Sequence, residues 1–130
     1  MFHAIIDAAS LNNPTILNDF HHRKVTVQYE PESSTNKYHY IFLLQIDEIE
    51  IEDVIIRIQN EMIESWYSFF WSESALHIVF NTNRFQIDIP DGWMSENYKA
   101  AQIFGRTQKI PEVYLDFKTH FRPYEDMIKK

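Results

Sequence analysis

Residues 76–89 read LHIVFNTNRFQIDI, and this stretch decides the fold class. Leu76, Ile78 and Phe80 alternate with His77 and Val79, and Phe85, Ile87 and Ile89 alternate with Gln86 and Asp88. A two-residue period places alternate side chains on opposite faces of a strand. Asn81-Thr82-Asn83 separates the two runs, and asparagine tolerates the positive φ that a tight turn demands. The stretch therefore reads as an antiparallel hairpin.

Working upstream, Ile51, Val54, Ile55, Ile58, Met62 and Trp66 recur at three- and four-residue steps. This is the apolar stripe of a helix that lies on a sheet. The burst Trp66-Tyr67-Ser68-Phe69-Phe70-Trp71 is expected to end that helix and wedge into the core. Before the helix, Val25, Val27 and Tyr29 share one face of a strand over Lys24–Glu30. Tyr38–Ile46 is nearly all apolar, as in a strand covered on both faces. The polar run from Pro31 to Lys37 joins these two strands as a loop. Phe2 to Ala9 is only weakly patterned. Asn13-Pro14 reads as an N-cap with proline in the first turn of a short helix reaching about His22, which buries Ile16, Leu17 and Phe20.

Downstream of the hairpin, Pro90-Asp91-Gly92 turns the chain out of the sheet. Ser95 is expected to cap a helix over Glu96–Thr107 that presents Tyr98, Ala101 and Ile103 or Phe104. Gly105 marks either the end of this helix or a close packing contact. Ile110 to Phe117 reads as a turn of helix or a short edge segment, followed by a polar tail from about residue 118. The expected order is (α)ββαββα. This is an α+β domain spanning residues 1–130, an antiparallel sheet of about four strands with helices packed on it.

Composition bounds the function. The chain has 130 residues, 45% of them hydrophobic, enough to fill a core and too many for a disordered chain. No apolar run reaches the roughly 18 residues needed to cross a bilayer. The N-terminus lacks the pattern of a secretory signal, and there is no cysteine, so disulfides and thiolate metal sites are excluded. A cytoplasmic protein is expected. The net charge is −7 but uneven. Residues 47–96 hold eleven acids and two bases (−9), whereas residues 97–130 hold four acids and seven bases (+3). Such a centre repels nucleic-acid phosphates and attracts a basic partner.

No motif names a reaction. Glycine occurs only at Gly92 and Gly105, so a glycine-rich phosphate cradle is impossible. His21 and His22 are adjacent, splay apart on a helix, and have no histidine four residues on. His77 sits mid-strand, and His120 lies in the tail. Glu48 with Glu52, or Glu50 with Asp53, share a helical face, but no basic substrate-binding surface accompanies them. The aromatics Trp66, Tyr67, Phe69, Phe70, Trp71 and Trp93 are core material first, because no lysine or arginine lies between Arg57 and Arg84 to pair base stacking with phosphate contacts. No catalytic set, metal-ligand set or cofactor is expected.

The remaining feature is DEIEIED, residues 47–53. Carboxylates in a first helical turn complement the macrodipole, and Asp47 with Glu50 fits an Asp-x-x-Glu capping box. One or two charges suffice for that, and the surplus offers a surface to a basic partner. Ile49 or Ile51 is expected to turn the chain into the core. Asp47, Glu48, Glu50, Glu52 and Asp53, with Glu61 and Glu64 further along the helix, are the candidate partner-binding residues.

In its size, acidity, lack of cysteine and lack of a catalytic set, the chain resembles small bacterial immunity proteins of contact-dependent or related polymorphic toxin systems. Gly105-Arg106, Ile110-Pro111-Glu112 and Leu115-Asp116-Phe117 resemble the ends of small bacterial proteins of that kind. The resemblance implies a protein without enzymatic activity that binds one cognate toxin domain in the cytoplasm and blocks its active site. A phage-encoded inhibitor that mimics nucleic acid shares these features. The alternatives are a small hydrolase or nuclease using His21, His22 or His120, and a structural adaptor whose free strand edge pairs with another chain.

Overall fold

The computed structural model describes residues 1–32 and 37–128. Six strands form one antiparallel sheet: β1 (Phe2–Asp7), β2 (His22–Tyr29), β3 (Tyr38–Ile46), β4 (Ser68–Trp71), β5 (Ala75–Val79) and β6 (Arg84–Asp88). Their spatial order is β2-β3-β1-β4-β5-β6. Three α-helices pack on the sheet, α1 (Ile51–Glu61) between β3 and β4, then α2 (Glu96–Thr107) and α3 (Phe117–Ile128) after β6, the last two joined through a 3-10 turn at Glu112–Leu115.

The central part of the sheet is buried on both sides, which explains its apolar strand sequences. One face carries Ile5, Leu43, Phe69, Trp71, Leu76 and Ile78 into a core with Tyr98 and Ala101 of α2 and Phe117 and Phe121 of α3. The other carries Ala4, Ile6, Leu44, Ile46, Phe70 and Val79 against Ile51, Val54, Ile55 and Ile58 of α1. Each fully buried aliphatic side chain contributes roughly 1.5–3 kcal/mol relative to exposure. In the hairpin of β2 and β3, Val25 faces Phe42, Val27 faces Tyr40 and Tyr29 faces Tyr38. Val25, Val27, Tyr29, Tyr38 and Tyr40 are exposed, beyond the part of the sheet that α1 shields.

The hairpin of β5 and β6 forms as its alternation predicts, with Leu76 opposite Ile87 and Ile78 opposite Phe85. So does α2: the Ser95 hydroxyl accepts from the Tyr98 N–H, and the helix runs Glu96–Thr107. Gly105 is a close packing contact within α2, because a Cβ there would lie 2.4 Å from Leu115 Cδ2.

Several expectations are corrected. The sheet has six strands rather than four, because Phe2–Asp7 and Ser68–Trp71 are also strands, and the order begins with a strand. The stripe of α1 does not continue to Trp66. Its end is claimed by backbone pairing: Asn12 N–H donates to Glu61 O, Ile63 N–H donates to Ser10 O, and Leu11 bridges Met62. Ser65 then adopts a positive φ of 74° and the chain reverses into β4. The aromatic burst is thus a central strand, not a helix end. Tyr38–Ile46 is covered on both faces only toward its C-terminal half, since Tyr38 and Tyr40 are exposed.

The segment after Asn13-Pro14 is a 3-10 turn, Pro14–Asp19, whose cap Asn13 accepts from the Thr15 N–H, and His22 already belongs to β2. Ile51 is buried while Ile49 points to solvent. Glu50 caps α1 without a side-chain bond, so the expected capping box is not formed. Part of the expected 31–37 loop lies outside the described residues.

The segment from 118, expected as a polar tail, is helical. Phe117 and Phe121 are one helical turn apart and fully buried, with Phe121 edge-on to Phe69 at 5.4 Å and to Trp71 at 5.1 Å. Phe121→Ala is expected to lower stability by about 3–5 kcal/mol in denaturant unfolding, as for other buried phenylalanines. A loss below about 1 kcal/mol would mean that α3 does not close the core.

Candidate functional site

Two surfaces on opposite sides of the sheet gather acidic side chains. The first is the start of α1. Residues 48–50 form a turn in which Glu50 N–H donates to Asp47 O, and the helix proper begins at Ile51. Within the helix, Glu52 and Asp53 stand four and three residues before Ile56 and share its outward face, while Ile49 projects from the turn just ahead of them. Ile49 is 93% exposed and Ile56 54%. Two exposed isoleucines among carboxylates serve no purpose in the core beneath them.

The acidic residues are not equivalent. Glu48 lies 3.1 Å from the N-terminal amine, and Glu52 lies 2.6 Å from the guanidinium of Arg84. Among the described residues, no basic group stands within ion-pair distance of Asp47, Glu50 or Asp53. Asp47 and Glu50 edge an open cleft of about 370 Å³ with Asp19, Phe20 and His21. Asp19 is held by Arg57 at 2.6 Å, and that guanidinium also lies over the Phe20 ring. Glu61 and Glu64 stand apart, at and beyond the far end of α1, about 15 Å along the axis. The sequence-predicted set therefore divides, with five residues gathered at the helix start and two elsewhere.

The second surface is a cleft of about 510 Å³ between the ends of β1 and β3, the turn before β4, and α3. Deep in it, His39 Nδ1 lies 2.6 Å from Asp7 Oδ2, and His39 Nε2 lies 3.2 Å from Glu30 Oε2. A carboxylate only accepts, so the ring donates its Nδ1–H to Asp7. Asp7 also accepts from the Ala9 N–H at 2.9 Å, which fixes its carboxylate. The walls are aromatic. Tyr67 donates its hydroxyl to Tyr114 O at 2.6 Å, and His120 Nε2–H donates to Val113 O at 2.7 Å. Burial, then the neighbouring Tyr124 phenol, pushes the Tyr67 hydroxyl far above its usual range. Burial and then the Asp7 carboxylate raise Tyr124.

The other histidines lie elsewhere. His21 and His22 are exposed at the edge strand, with the His22 ring against Phe42. His77 is buried beside Phe2. Of the singled-out aromatics, Phe69, Phe70 and Trp71 are core, while Trp66 and Tyr67 edge the aromatic cleft. Among the described residues, no group of three His, Asp or Glu side chains is placed to hold a metal ion, and no helix is long and apolar enough to cross a membrane. The aromatic cleft escaped sequence reasoning, because Asp7 and His39 lie in two strands, Glu30 follows a third, and the three share no spacing pattern.

Comparison with family models, with curated proteins and with solved structures finds no match.

The buried histidines set an acid limit on the fold. Burial, then Arg84, lowers His77 below its usual 6.5, and burial, then Arg23, lowers His3. Each binds a proton less readily in the folded chain than in the unfolded one. Their contribution is intact above about pH 6.5 and is lost as pH falls below it. The unfolding midpoint is expected to drop between pH 7 and pH 5. The double variant His3→Gln, His77→Gln should make the unfolding midpoint less sensitive to pH over this range. An unchanged pH slope in that variant would assign the acid sensitivity to other groups.

Proposed function

We propose that the chain is a binding protein that docks a basic protein partner on the face formed by residues 47–56 and does not itself catalyse a reaction. The observation that carries this reading is that Ile49 and Ile56 are exposed to solvent at the start of α1, in the stretch that also holds Asp47, Glu48, Glu50, Glu52 and Asp53. An apolar centre inside a charged rim is the anatomy of a recognition surface. The aliphatic groups supply contact area once water is excluded, and the rim sets sign and register.

Asp47, Glu50 and Asp53 supply the charge that remains for a partner, while Glu48 and Glu52 are partly neutralised within the chain. The carboxylates of residues 47–53 steer a cationic protein toward this face and repel phosphate backbones. The resemblance in type to small immunity proteins makes a basic toxin domain, of nuclease type, the first candidate, met in the cytoplasm and blocked at its active site. Glu61 and Glu64 belong to a different part of the surface and have no role in this contact.

Immobilised wild-type chain is expected to retain a basic protein from host lysate at low salt and to release it at high salt. A toxin-like reading frame beside the gene would name that protein. The variant Asp47→Asn, Glu50→Gln, Asp53→Asn should associate with it at least about tenfold more slowly at low salt. Ile49→Ser should speed dissociation about tenfold while leaving the unfolding midpoint unchanged. Wild-type association and dissociation rates in both variants would remove this face from the mechanism.

A further inference from the structure

We propose that the cleft between β1, β3 and α3 is a binding site for a small organic cation, an amine or guanidine carried on an apolar body. The site is separate from the acidic face of α1 and stands or falls without it, because the two lie on opposite sides of the sheet.

Size comes first. About 510 Å³ is the volume of a small-molecule pocket, and apolar walls with a few convergent polar groups are the usual lining of one. The sign of the charge follows from the residues present. Among the described residues, the lining holds two carboxylates, Asp7 and Glu30, and no lysine or arginine. His39 stands between the carboxylates and offsets at most one of their charges. His120 is turned toward the Val113 carbonyl through Nε2. An anion would meet the field of Asp7 and Glu30 with no fixed cation to receive it.

The walls select the kind of cation. Trp66, Tyr67, Tyr114 and Tyr124 surround the space with aromatic rings, whose faces attract organic cations and whose area suits an apolar body. A bare metal ion has no converging set of ligands here. The Tyr67 hydroxyl is committed to the Tyr114 carbonyl, so this wall is held in place before any ligand arrives. Asp7 is likewise fixed through the Ala9 N–H. The arrangement is preformed, with the carboxylates at one end and the rings around them.

The test is titration of the full chain with phenethylamine, agmatine and tetramethylammonium, with benzoate as the anionic control. Binding is followed by calorimetry and by the indole N–H signals of Trp66 and Trp93. Saturable binding of at least one cation is expected, with a Kd of about 0.1–1 mM, moving the Trp66 signal and leaving Trp93, which lies outside the cleft. Glu30→Gln and Trp66→Leu should each weaken that binding about tenfold. Glu30 is exposed, so its substitution spares the core, and the unfolding midpoint of each variant reports that its fold is kept.

An arginine side chain projecting from a bound protein offers the same chemistry. Binding of agmatine but not of acetyl-arginine amide assigns a free small molecule, and binding of both admits a side chain. No saturation by any cation at about 10 mM, equal binding of benzoate, or an unchanged Kd in folded Glu30→Gln would overturn the proposal.

Discussion

The seam between β1 and β4 is three residue pairs long, His3 with Trp71, Ala4 with Phe70 and Ile5 with Phe69, and the whole sheet depends on it. On one side β2, β3 and β1 pair in sequence, and on the other β4, β5 and β6 form a meander. Among the described residues, no other strand pairing joins the two halves. The partners are more than sixty residues apart in the chain, so this contact carries a large loop-closure cost and little local encouragement. Burial meets that cost. Ala4, Phe70 and Trp71 are almost completely enclosed, with α1 on one face of the seam and Phe121 of α3 on the other. The helices are therefore what makes so short a seam sufficient.

The same fact explains what could be read in the sequence. The hairpin of β5 and β6 and the capped helix α2 depend on neighbouring residues, and their patterns were legible. β1 and β4 lie in the middle of a sheet buried on both faces. FHAIID and SFFW carry no two-residue alternation, because neither face is wet. α3 was hidden by Pro123 and by its charged residues, although Phe117, Phe121 and Tyr124 recur at helical steps. In α1, periodicity pointed past Glu61, and the backbone bonds of Ser10 and Asn12 decided otherwise.

Of the two candidate surfaces, one is local and one is not. DEIEIED announces an exposed acidic turn through composition alone. Which carboxylates remain for a partner depends on Arg84 and the N-terminal amine, groups remote in sequence. The aromatic cleft is wholly a product of tertiary assembly. Asp7 ends one strand, Glu30 follows another, His39 begins a third, and the rings come from the turn before β4 and from the C-terminal third. A sequence scan that looks for spacing has nothing there to find.

The hairpin of β2 and β3 has a consequence for the behaviour of the protein in concentrated solution. β2 is an outer strand of eight residues, and beside its open backbone edge stand Val25, Val27, Tyr29, Tyr38 and Tyr40 in contact with water. Such an edge is a template for sheet growth from one molecule to the next. Arg23 and Lys24 set like charges near one end of the strand, and the ladder to β3 is irregular between His22 and Lys24. Charge and irregularity both discourage stacking of copies in parallel. The colloidal stability of this acidic protein thus rests on two basic side chains at the sheet's rim, where its overall negative charge is of least help.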